Sequence, residues 1–144
     1  MRVLGAVLAA FAFFLPRTGI AMWASMSDDE LVASSELIVI GEWLGQTAVT
    51  LPGATGAQTF GVIAVAEVLK GQRDTGFVLV QRPVASALRS SSDLNFERGQ
   101  KGLWLLRAVP GAKGLYAFDH PQRFVSAATD PARIAALRRL IARN

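Results

Sequence analysis

Along the middle of the chain, apolar and polar positions alternate in short blocks separated by glycine, proline and small polar residues, a pattern of strands and turns and not of long helices. The first block, "ELIVIGEWLG" at residues 36–45, is rich in β-branched side chains, and Gly41 inside it predicts a bulge or a sharp bend. "GATGA", with Pro52 just before it, predicts a loop. "TFGVIAVAEVLKG" at residues 59–71 predicts a second strand. One face reads Phe60, Val62, Ala64, Ala66, Val68 and the other Gly61, Ile63, Val65, Glu67, Leu69; both are mostly apolar, so this strand is expected to be covered on each side. Its end is read as a turn at Gly71, which tolerates a positive φ, with Lys70 reaching water over its own apolar stem. As an anion site, Lys70 has only Arg73 nearby. "GFVLVQRP" at 76–83 predicts a third strand stopped by Pro83, which has no N–H for a ladder. "VASALRSSSDLNF" at 84–96 reads as a connection with room for one helical turn. "KGLWLLRAV" at 101–109 and "GLYAFD" at 114–119 read as strands four and five, joined by the hairpin loop "PGAKG". Trp43 and Trp104, inside apolar strands, are expected in the core or at its edge.

Two helices flank these strands. Ser27 and Glu30 have the spacing of a capping box, with Asp28 and Asp29 in a first turn where the helix dipole favours negative charge, so a short helix is expected to about Ser34. Three adjacent carboxylates on one turn diverge, which argues against a metal cluster there. At the other end Asp130 caps, Pro131 takes the first helical position, and "ARIAALRRLIARN" completes a helix at 130–143. Ile134, Leu137 and Ile141 form an apolar stripe, while Arg133, Arg138, Arg139 and Arg143 lie largely off it. The stripe is expected to pack on the strands, with the charged side in water.

The chain has 144 residues, enough for one self-supporting core, and no cysteine. That absence excludes disulfides, thiolate metal sites, a cysteine nucleophile and a lipid-modified N-terminus. A charged start at Arg2, an apolar run at residues 3–15, then Pro16 and "RTG" match a secretory signal peptide over residues 1–24, cleaved after Ala21 or Ala24. The run is too short to span a bilayer, for which roughly 20 apolar residues are needed; the alternative is an uncleaved tether. The formal charge of +4 includes Arg2 and Arg17; without them 13 basic residues face 11 acidic ones, a balance of +2 that is no nucleic-acid footprint. The reading is therefore an extracytoplasmic, periplasmic or secreted protein with a single domain over residues 25–144.

The order of short helix, three strands, connection, two strands and terminal helix predicts a mainly β protein: a five-stranded Greek-key barrel of the OB type. In addition, "SSELIVIGEWLG", "FGVIAVAEVLKG" and "FERGQKGLWLLR" resemble the netrin-module and TIMP (tissue inhibitor of metalloproteinases) superfamily. There, a strand with an internal glycine-acidic pair precedes a strand ending in Lys-Gly, and later a glycine turn enters an apolar strand. The likeness covers about residues 35–107 and extends to exported bacterial proteins of the same pattern; it implies an OB-type barrel. Inhibitors of the TIMP type chelate zinc through an N-terminal cysteine, and this chain has none.

Catalytic constellations are sparse. The only histidine, His120, neighbours Asp119, but adjacent residues on an extended segment point to opposite faces, which disfavours the pair as a base and its orienter unless a turn lies there. Ser90, Ser91 and Ser92 lack the strand-turn-helix setting of a nucleophile elbow. No phosphate loop is present, no cofactor is expected, and one histidine without cysteine makes a poor transition-metal site. The favoured reading is a non-catalytic module that binds a protein or peptide through residues 46–58 and 89–101, with Arg82, Arg89, Phe96 and Arg98 as contact residues because they place cations and an aromatic beside connections. Nucleic acid is not an expected partner. The competing reading is a small hydrolase built on His120 with Asp119 or a loop serine. On export, intact-mass measurement is expected to find a chain starting at Met22 or Ser25; a mass that includes residues 1–21 refutes cleavage.

Overall fold

The computed structural model describes residues 24–50, 52–53, 55–72, 76–82 and 95–144. Residues 1–23 of the expected signal segment, the serines at 90–92, and Arg73 and Arg89 lie outside the described residues. Within them the protein is mainly β. Helix α1 (Asp28–Ala33) is followed by strands β1 (Leu37–Thr50), β2 (Ala57–Lys70), β3 (Phe77–Gln81), β4 (Lys101–Ala108), β5 (Leu115–Ala117) and β6 (Phe124–Ser126), then helix α2 (Pro131–Ile141). A 3-10 turn, Pro121–Arg123, leads into β6. The first five strands close on themselves: β1 pairs with β2, β2 with β3, β3 with β5, β5 with β4, and β4 again with β1. Every pairing is antiparallel except β3–β5. The sixth strand, unforeseen in the sequence, pairs with β4 through Gly102–Ser126, Leu103–Val125 and Trp104–Phe124. Its three residues follow a proline turn and are too few for an alternation to register.

Strand β1 makes closure possible. It pairs with β2 along nearly its whole length and with β4 over its first six residues, so it must coil strongly. Its register against β2 slips between Ile38 and Val39, between Ile40 and Gly41, and between Trp43 and Gly45. The irregularity expected at Gly41 is thus present: a Cβ there would stand 2.6 Å from the Ala64 carbonyl oxygen. Trp104 donates its indole N–H to the Gly41 carbonyl at 3.2 Å, satisfying a buried acceptor beside the slip.

Inside the ring pack Leu37, Val39, Trp43, Ile63, Val78, Val80, Trp104, Leu106 and Phe118. Trp43 and Trp104 stack at 5.7 Å between ring centres, and Trp43 fills the space over Gly61, where a Cβ would overlap its indole. A second core lies outside the ring, where Leu31, Val32, Ile38, Leu103, Leu105, Val125 and Leu137 join the helices to β1 and β4. These two strands read "LIVI" and "LWLL" because both of their faces are buried. Helix α2 lays Leu137 fully, and Ile134, Leu140 and Ile141 partly, against this layer.

The helix ends are tied down by specific bonds. The Ser27 hydroxyl accepts from the Glu30 amide at 3.2 Å and Glu30 accepts from the Ser27 amide at 2.8 Å, completing the capping box. Those Ser27 bonds also hold the Glu30 carboxyl below its usual range. Two arginines of α2 are not simply solvated, as the sequence suggested: Arg133 meets Asp28 at 2.7 Å and Arg138 grips Glu67 of β2 with both terminal nitrogens. Lys70 also departs from its expected role. Its ammonium donates to the Val32 carbonyl at 2.7 Å, capping the C-terminus of α1 where orphan carbonyls collect. Gly71 does take the expected positive φ, +86°, and any side chain there would strike the Glu36 carbonyl.

Among the described residues, one covering layer expected from the sequence is missing. Gly61 and Ile63 of β2 are buried, yet Phe60, Val62 and Ala64 on the other face are only half-buried and Ala66 is exposed. The helices cover β1 and β4 and stop short of this face.

Two outcomes follow from the packing. Gly61→Ala is expected to cost about 2 kcal/mol by overpacking against Trp43, measured as a lower urea midpoint with unchanged slope. The Arg138 hydrogen bonds, and less strongly its charge, lower the Glu67 pKa. A depressed carboxyl contributes stability above its unfolded pKa and loses it as pH falls through the folded one. Between pH 7 and pH 3 the wild type is therefore expected to lose more stability than Glu67→Gln, as read from urea midpoints at the two values.

Candidate recognition surface

The uncovered face is built by register. Across β1, β2 and β3, Glu42 stands opposite Ala64 and Ala64 opposite Phe77; Gly45 opposite Val62 and Val62 opposite Leu79; Thr47 opposite Phe60 and Phe60 opposite Gln81. On β3, Val78 and Val80 turn into the core, which by alternation turns Phe77 and Leu79 out, 58% and 51% exposed. A groove of about 380 Å³ runs over this face, lined by Leu44, Thr47, Phe60, Val62, Leu79 and Arg98, with Gly45 and Gln46 completing it. A smaller depression of about 250 Å³ continues it along the same two strands, between Ile40, Glu42, Ala64, Ala66 and Lys101. There Glu42 and Lys101 face each other at 3.7 Å.

Arg98 lines this groove, and Arg82 reaches its wall through Gln46. Arg98 comes from the segment entering β4 and donates its Nε to the Leu44 carbonyl at 2.9 Å, at the slip in β1. That bond turns the outer edge of the guanidinium over Gly45, where Nη2 would lie 3.9 Å from a Cβ. Arg82 follows β3 and donates to the Gln46 side chain on the groove wall. Phe96 is placed elsewhere. Its ring sits inside the aromatic cluster, 5.1 Å from Trp43, 4.8 Å from Trp104, 5.3 Å from Phe118 and 5.1 Å from Phe124. Residues 46–58, read from the sequence as a loop, are for the most part a ribbon: Thr47, Ala48, Val49 and Thr50 continue the ladder to Phe60, Thr59, Gln58 and Ala57. Among the described residues of this stretch, Pro52, Gly53, Thr55 and Gly56 lie outside the strands, so the long strands shape this side.

The alternative constellation around His120 is occupied with structure. Nδ1 accepts from the Gln122 amide at 3.2 Å, which assigns the ring hydrogen to Nε2, and Nε2 donates to the Ala24 carbonyl at 3.0 Å. A base needs its acceptor nitrogen facing a substrate; here that nitrogen caps a 3-10 turn. Asp119 does not orient the imidazole. It pairs with Arg107 at 3.0 Å and with Arg123 at 2.8 Å, the latter an ionic contact off the hydrogen-bond line. Arg123 is 2% exposed and also donates to Ser35 Oγ at 2.9 Å and Ser34 Oγ at 3.0 Å. It joins the end of α1 to the turn before β6. Gln122 adds a two-point clamp on the Met26 backbone, at 2.8 and 3.1 Å. Little that is local marks "HPQRF" as a buried polar hub: apart from the His120–Gln122 cap, its side chains meet partners about ninety residues away or a carboxylate read as a catalytic candidate. Among the described residues no group of three His, Asp or Glu side chains is placed to hold a metal ion, and no helix is long and apolar enough to cross a membrane.

Arg123→Met is expected to destabilise the protein by about 2 kcal/mol: bonds to the buried Ser35 and the half-buried Ser34 and an ion pair are lost, but Asp119 keeps Arg107 and part of its water. Chemical denaturation measures this, and a loss below a few tenths of a kcal/mol removes the hub role. In comparisons with known proteins, no family model matches the chain and no curated protein does.

Proposed function

We propose that this protein is a non-catalytic, extracytoplasmic binding module, an OB-type Greek-key barrel that holds a protein or peptide partner against the outer face of β1, β2 and β3. The strand ring β1–β2–β3–β5–β4, closed by β4 on β1 and with β3–β5 its one parallel pair, supports the barrel type and with it the resemblance to the netrin-module and TIMP superfamily. The export reading rests on the charged start, apolar run and following small residues of the N-terminal segment. The observation that carries the function is this apolar face, which no helix or strand among the described residues covers. Leu79 is half-exposed beside Val62 and Phe60 on strands whose opposite face is core, although polar residues there would complete the usual apolar-in, polar-out alternation. A contiguous apolar groove rimmed by arginine and glutamine side chains is the composition of a recognition site, in which the floor supplies desolvation and the rim supplies register.

Peptides selected from a phage-displayed library on the purified protein are expected to bind Leu79→Asp at least tenfold more weakly, while the variant keeps the wild-type unfolding midpoint because its side chain is outside the core. Selected peptides that bind Leu79→Asp as tightly as the wild type refute docking on this face.

A further inference from the structure

We infer that the occupant of this groove is an acidic peptide in extended conformation, with apolar side chains on the floor and a carboxylate on Arg98; the inference rests on the docking face proposed above. The shape comes first. The two depressions run along β2 from Ala66 to Phe60, about 20 Å at the rise of a strand, which is the reach of six or seven extended residues. Their floor repeats every second position, Phe60, Val62 and Ala64, and this period matches the alternate side chains of an extended chain lying along it.

Charge then sets the sign and the direction. At the Ile40 end, Glu42 and Lys101 offset each other. At the other end stands Arg98, and among the described residues no carboxylate is in ion-pair range of it. The bond from Arg98 Nε to Leu44 fixes the plane of the guanidinium and uses its inner edge. The outer edge is left to face the groove beside Gly45, where the lack of a side chain lets a ligand approach closely. A planar fork held from behind is suited to a carboxylate taken with two parallel bonds, a geometry that a lysine ammonium does not supply. The apolar floor favours a peptide over other polyanions, because a nucleic acid strand needs stacking rings in series, and the groove lining contains one, Phe60.

The test is a peptide array in which leucine alternates with aspartate, asparagine or lysine, read by binding of the labelled full-length protein, with oligothymidine as a competitor. On the wild type the aspartate series is expected to bind about tenfold more tightly than the asparagine series, and the lysine series weakest. Added salt is expected to narrow the gap. In Arg98→Gln the aspartate and asparagine series are expected to converge. Asparagine peptides that bind as well as aspartate peptides, or a preference that survives in Arg98→Gln, overturn the acidic assignment; if both series still fall on Leu79→Asp, the docking face itself stands. Binding of all series that is indifferent to Leu79→Asp overturns the face and this inference together. Oligothymidine that displaces the peptides and binds more tightly, with the same dependence on Arg98, overturns the peptide in favour of nucleic acid.

Discussion

The fold depends on the coiling of β1. A flat fourteen-residue strand pairs with one neighbour on each edge and leaves the sheet open; β1 instead slips its register three times against β2 and reaches β4 with its first half. Each slip adds twist and redirects the side chains that follow it. The close approach at Gly41 brings β2 and β4 to opposite edges of the same few residues, and the Trp104 indole satisfies the carbonyl there. The stacked pair of Trp43 and Trp104, with Phe96 against both, then fills the interior that closure creates. Gly61 is the counterpart of that large ring, since only a residue without a side chain leaves Trp43 its place.

The same geometry makes the molecule two-sided. Helices α1 and α2 gather on β1 and β4, where bonds and ion pairs fasten them: Lys70 on Val32, Arg133 on Asp28, Arg138 on Glu67. The buried Arg123 ties α1 to the chain entering β6, and His120 and Gln122 pin the residues leading into α1. Among the described residues, everything that covers the ring is therefore held on one side. The outer face of β1, β2 and β3 has an apolar floor without a covering layer among the described residues, and the slip at Leu44 that redirects β1 is also where Arg98 is bound.

Much of this was readable in advance. The helix caps at Ser27 and Asp130 are local chemistry, in which one side chain meets an amide three residues away, and both form. The strand blocks fall close to their expected places because alternation is a local property too, and the bend at Gly41 and the positive φ at Gly71 follow from glycines that no side chain could replace. What escaped notice involves distant partners. Lys70 looks like a solvated lysine until α1 is brought to its side. Arg123 has no neighbour in sequence that announces a buried guanidinium. Phe96, chosen as an aromatic beside a connection, turns inward because its segment crosses the end of the ring next to Trp43. Of the candidate contact residues, Arg98 lines the groove and Arg82 reaches its wall through Gln46 although sixteen positions separate them, and no sequence period relates the two.

Sequence alone determined the class of the protein: a β-rich domain between two short helices, free of cysteine, with strand limits set by β-branched runs and by glycine and proline. Those features act over a few residues, through backbone sterics and the alternation of side chains. Tertiary structure decided which apolar faces would be buried. An outward-facing valine on β2 and one on β6 have the same chemistry; α2 and β4 enclose the latter and nothing among the described residues covers the former, because burial depends on what the rest of the chain brings alongside.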